Sequence, residues 1–163
     1  MKYSKEIFYQ EFIRREDSTN RAPYNPELEF YSIIQNGDTE LVKELCKASP
    51  LKDKKGLGLL SEKPVNNIRY HFVITTALVA RYCIEGGLDV ATAYNLSDFY
   101  IKKSDTMKSV EDISELHAFM CIDYAKKMRN LKKNSICSKP IAECIDYIYC
   151  LLYTSDAADE ARS

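Results

Sequence analysis

Apolar residues recur at intervals of three and four along nearly the whole chain, the spacing of helices that each bury one face. Tyr3, Ile7, Phe8 and Phe12 fall on one side of a first predicted helix, which ends in the polar run REDSTN. With Asn25 as N-cap and Pro26 at the first helical position, a second helix carries Leu28, Tyr31 and Ile34 and stops at Asn36-Gly37. Asp38 then caps a third, running through Leu41, Val42, Leu45 and Cys46, so the two form an αα-hairpin with a tight Asn-Gly-Asp turn. A loop from Ser49 to Lys63 comes next, carrying the Lys-rich KDKKG.

The stretch from Val65 to Glu85 is apolar around most of its circumference. Ile68, Phe72, Val79 and Cys83 line one face while Tyr70, Ile74 and Leu78 line another, which predicts a central helix buried on two sides. Its β-branched run VITT suits a strand, but the pattern continues for more than a dozen residues without a turn signal, and length decides for helix. Gly86-Gly87 ends it. Asp89 caps the next helix, VATAYNLSDFYIKK, in which Ser97 marks a potential break. Ser109 and Asp112 form a capping box that opens a long amphipathic helix with Ile113, Leu116, Met120, Tyr124, Met128 and Leu131 on one face. The basic run KKMRNLKK lies toward its C-terminal end, where cations favour the helix dipole. NSICSKP breaks it, and Ser138 with Pro140 starts a last helix through Ile141, Cys144, Ile145 and Ile148. The fold class expected is therefore all-α. The hairpin is similar to a single ankyrin-type helix pair, but no internal repeat accompanies it.

Composition adds limits. Hydrophobic residues make up 45% and charged ones 29% of 163 residues, which suits a folded globular domain and excludes disorder as the main state. With 23 Lys and Arg against 24 Asp and Glu, the net charge of -1 leaves no bulk electrostatic footprint for nucleic acid. The first residues mix charge and aromatics without an apolar core or a small-residue cleavage site, so no signal peptide is expected. The apolar stretch from Phe72 to Ala80 is far short of the roughly 20 residues that span a bilayer, so no membrane partner is expected either. Six cysteines (Cys46, Cys83, Cys121, Cys137, Cys144, Cys150) without a CxxC pair read as reduced thiols packed as small hydrophobes, the usage of a cytoplasmic protein.

From Leu60 to Asp105, LSEKPVNNIRYHFVITTALVARYCIEGGLDVATAYNLSDFYIKKSD resembles the helical N-terminal regulatory region of a group of AraC-type transcriptional regulators. YNPELEFYSIIQNGDTELVKELC, ISELHAFMCIDYAKKM and the junction ICSKPIAECIDYIY look like the same group, so the resemblance covers the chain up to Tyr149. It implies a regulatory and dimerising domain over residues 1–137, continued at 138–149 by the first helix of a DNA-binding domain. That domain would hold two helix-turn-helix units in roughly 100 residues and bind promoter DNA, which this chain itself would not. Cys150 through Glu160, CLLYTSDAADE, instead resembles one reading frame of a sequencing-library adapter. This implies that residues 150–163 are an artefactual tail and that the regulator continues differently after Tyr149. A different class of reading is a standalone helical module that binds a partner protein through the αα-hairpin or the long helix.

Catalytic chemistry finds little support. With two histidines and no Gly-x-Ser-x-Gly, P-loop or Gly-x-Gly-x-x-Gly, neither an enzyme nor a bound cofactor is expected. His117 and Cys121 sit at i and i+4, the spacing of two metal ligands on one helical face, but zinc needs two or three more. No second pair has suitable spacing, so packing is the reading adopted and no metal is expected. His71, beside Phe72, reads as a hydrogen-bonded core histidine. Arg81 and Glu85 are four apart, and Asp98 lies on the next helix, so a structural ion pair is the default. The functional alternative has Arg69, His71, Arg81 and Asp98 edging a pocket for a small-molecule signal. Ile113, Met120, Tyr124 and Met128 read either as core or as the face of a homodimer, since two-fold DNA sites call for two-fold proteins. KKMRNLKK reads as a solvated helix end or as a phosphate contact.

Overall fold

The computed structural model describes residues 3–16, 24–47 and 57–133. They are helical throughout apart from turns and a short extended segment: α1 (Ser4–Glu16), α2 (Tyr24–Asn36), α3 (Thr39–Lys47), α4 (Pro64–Glu85), α5 (Val90–Asp105) and α6 (110–133). The all-α expectation holds. The REDSTN run enters α1 with Arg15 and Glu16, while its residues 17–20, KDKKG, the expected last helix from Ser138, the junction and the 150–163 tail lie outside the described residues, as do Cys137, Cys144 and Cys150.

Local chemistry explains where the helices start and stop. α2 ends with Gly37 at φ +76°, its N–H donating to the Ile34 carbonyl while the Asp38 N–H donates to Ile33. α4 ends the same way: Gly87 at φ +97° donates to Ile84, and Leu88 donates to Cys83. Both closures are Schellman motifs, and glycine takes the left-handed position at no steric cost. Asp38 accepts from the Leu41 N–H at 3.0 Å and opens α3, and Asp89 accepts from the Thr92 N–H at 2.8 Å and opens α5. Ser109 Oγ accepts from the Asp112 N–H at 3.0 Å, satisfying one of the free donors at the start of α6. α2 begins at Tyr24, so Asn25 and Pro26 lie inside its first turn and not at its cap. α5 runs unbroken through Ser97, which is buried.

The core is built around α6. Ile113, Met120, Cys121, Tyr124, Ala125 and Met128 are fully buried, and they face Ile34 of α2, Val42 of α3, Phe72, Val79 and Cys83 of α4, and Tyr100 of α5. α4 is not buried on two sides. Its Ile68, Phe72, Val79 and Cys83 face inward as expected, while Tyr70 and Ile74 are each 47% exposed and Leu78 is half-buried. The sequence pattern overstated its burial because apolar side chains also populate its outer face, as they do on most protein surfaces. Tyr3, just before α1, and Ile7, Phe8 and Phe12 of α1 are likewise exposed.

Polar contacts fasten the helices. Gln35 donates to the Tyr82 carbonyl at 2.7 Å, Tyr100 donates to Asp123 at 2.9 Å, and Tyr124 donates to the Ala93 carbonyl at 2.8 Å. The basic end of α6 docks on the hairpin: Arg129 donates to Thr39 Oγ1 at 3.0 Å, and Lys132 donates to the Asn36 carbonyl and side chain at 3.1 Å. Two cations of KKMRNLKK thus meet the carbonyl end of α2 and the start of α3. No described helix is long and apolar enough to cross a membrane.

Candidate functional site

The four polar residues considered for a signal pocket do not converge. Arg69 is half-buried and closes the carbonyl end of α5, donating to Ser104 O at 3.2 Å and Met107 O at 2.6 Å, with a further bond to Asn66. His71 Nε2 meets the Gly58 carbonyl at 2.7 Å; a carbonyl can only accept, so this nitrogen carries the proton and ties residue 58 to α4. Arg81 lies twelve residues beyond Arg69 on α4, about 18 Å along the axis, and is exposed, donating to the Ala77 carbonyl of its own helix. Asp98 is exposed on α5. Arg69 and His71 are structural fasteners, and Arg81 makes its hydrogen bond within α4 in place of the expected ion pair with Glu85 or Asp98.

Ile113, Met120, Tyr124 and Met128 are each fully buried inside the chain. Of the two readings of this stripe, the core one describes it, and a dimer face cannot use side chains already covered by α2 to α5.

The structure does gather one cluster of metal-ligating side chains among the described residues. Cys46 of α3 joins His117 and Cys121 of α6, and the three donor atoms all lie within 4.8 Å of one another. Helical geometry supplies half of it, since residues four apart stand one above the other on one face, and Cys121 Sγ sits 3.7 Å from His117 Nε2. The hairpin supplies the rest. Gly37 lets the turn press against the α6 backbone at Arg129, and the Arg129–Thr39 bond holds the first residue of α3 there. The imidazole is fixed between Phe30 of α2, stacked at 6.2 Å, and Phe72 of α4, edge-on at 6.5 Å. His117 is 4% and Cys46 9% exposed, and Cys121 is fully buried.

Burial sets the protonation. Withdrawal from water pushes the His117 pKa down to about 4, so near neutral pH the ring is uncharged and one nitrogen keeps a free lone pair. The Cys121 thiol is raised well above its ordinary value by the same burial, while its place beside Cys46 lowers the pKa of the Cys46 thiol. Cys83, buried on α4 outside this group, is pushed up to about 12. All three described cysteines are free and buried, as expected of reduced core thiols. The i, i+4 spacing of His117 and Cys121 was visible in the sequence; Cys46 was not, because only tertiary packing brings it there.

Comparison with known protein families, with curated proteins and with solved structures finds no match.

Proposed function

We propose that this chain is the regulatory region of an AraC-type transcriptional regulator, whose DNA-reading helix-turn-helix units come after residue 149. The observation that carries this reading is the wording of residues 60–105, supported by the similar wording of the hairpin, the long helix and the 136–149 junction. The all-α architecture is compatible with it. The neutral charge balance agrees with a chain that does not itself grip phosphates. Regulation then acts by shifting how two helix-turn-helix units are presented to the major groove, through a signal or through pairing of two subunits. No catalytic step is proposed.

The test is an electrophoretic shift with the gene's own upstream DNA. The full-length product should bind it with steep salt dependence against random competitor, and residues 1–149 alone should not. A full-length product that discriminates no sequence overturns the reading. One observation favours a second reading, a helical module that binds a partner protein: Ile7, Phe8 and Phe12 of α1 are 58%, 72% and 56% exposed on the same short helix.

A further inference from the structure

We propose that Cys46, His117 and Cys121 form a binding site for one thiophilic metal ion, coordinated by two sulfurs and one imidazole nitrogen. The inference rests on this cluster alone and is independent of the DNA-binding reading.

The donors fit such an ion in kind and number, and one pair fits it in spacing. Two sulfurs and a nitrogen are soft and borderline ligands, which suit monovalent copper or zinc and not magnesium or calcium, whose sites are built from oxygen. An ion about 2.3 Å from sulfur and about 2.0 Å from nitrogen, in trigonal geometry, holds the two ligand atoms about 3.7 Å apart. Cys121 Sγ and His117 Nε2 already stand at 3.7 Å. Among the described residues no fourth Cys, His, Asp or Glu comes within the same reach. Three donors match monovalent copper directly, whereas zinc would complete its usual four with a water beside Cys46, the most exposed member of the cluster.

The site is also preorganised. Phe30 and Phe72 hold the ring plane, the α6 backbone fixes His117 relative to Cys121, and Arg129 with Gly37 fixes α3 against α6. Binding releases the thiol protons to solvent and leaves the imidazole neutral, so occupancy rises with pH. The bound ion bridges α3 to α6 and stabilises the packing of the hairpin on the long helix by mass action.

The experiment uses the full chain with Cys137, Cys144 and Cys150 replaced by Ala, reduced and kept free of oxygen. Copper(I) buffered by a chromophoric chelator is titrated in one arm and zinc sulfate in the other, and circular dichroism verifies folding of each variant. The expected result is one equivalent of one of these ions, with a raised Tm. Cys46→Ala and Cys121→Ala should each weaken binding more than about a hundredfold, beyond the cost of losing an outer partner. Cys83→Ala, which removes a buried thiol outside the cluster, should bind as the parent does. Binding of neither ion overturns the proposal, as does binding that survives in a folded Cys46→Ala variant.

Discussion

A Cβ added at Gly37 would lie 2.6 Å from the Arg129 backbone nitrogen and 2.9 Å from its Cα, and the backbone there already holds φ at +76°. Neither atom belongs to a flexible side-chain end, so α6 or the hairpin would have to move. Gly87 has a similar φ of +97°, but its added Cβ would meet Leu131 at an ordinary 3.6 Å. Both alanine variants should lose stability, by about 1 kcal/mol or more for the conformation alone, and Gly37→Ala should lose clearly more. Urea denaturation of the two checks this; equal losses would mean that the hairpin does not press on α6. His117 gives a pH signature. Its folded pKa of about 4 lies below its ordinary 6.5, so between those values the unfolded chain takes up a proton that the folded chain refuses. This contribution is fully present above about pH 6.5 and is lost as pH falls toward 4, by about 3 kcal/mol in all. In chelator, His117→Gln should flatten this part of the stability profile, and an unchanged slope between pH 4 and 6.5 would contradict the burial argument.

How much each helix shows of itself in the sequence depends on how local the cause is. Asp38, Asp89 and Ser109 were legible as caps because a cap bonds to a backbone N–H three residues on. The inward stripe of α6 was legible because one unbroken periodicity runs through it. The faces of α4 were only half legible: Phe72 and Val79 point inward, but Tyr70 and Ile74 carry equal apolar weight and point out. Which apolar face a helix buries is decided by its neighbours, and periodicity within one helix does not contain them. The same reason separates the halves of the candidate site, since His117 and Cys121 share a helix and Cys46 arrives from another. Truncation along α4 measures this directly. Phe72→Ala should cost about 3–5 kcal/mol, and Ile74→Ala, at a half-exposed position, less than about 1 kcal/mol. Comparable losses would restore the two-sided burial that the pattern alone suggested.

At the scale of the whole molecule, α2 to α6 form one packed body in which the hairpin, the long helix and the α4–α5 pair share a core. The thiol and imidazole cluster lies at the seam between hairpin and long helix, so an ion bound there acts on how the two are held. α6 is the described element nearest in sequence to the junction at 136–149. The proposed regulator pairs two subunits on two-fold DNA sites. Light scattering of the full-length product at micromolar concentration should therefore give the mass of a dimer, formed through surfaces other than the buried Ile113, Met120, Tyr124 and Met128. A monomeric mass would remove pairing from the proposed mechanism. The functional reading itself turns on the source gene beyond the codons for Tyr149 and Cys150, which can be read by sequencing across them. Continuation into roughly 100 residues carrying two helix-turn-helix patterns is the expected result. A genuine stop after Ser163 would contradict it and leave the partner-binding helical module as the better description.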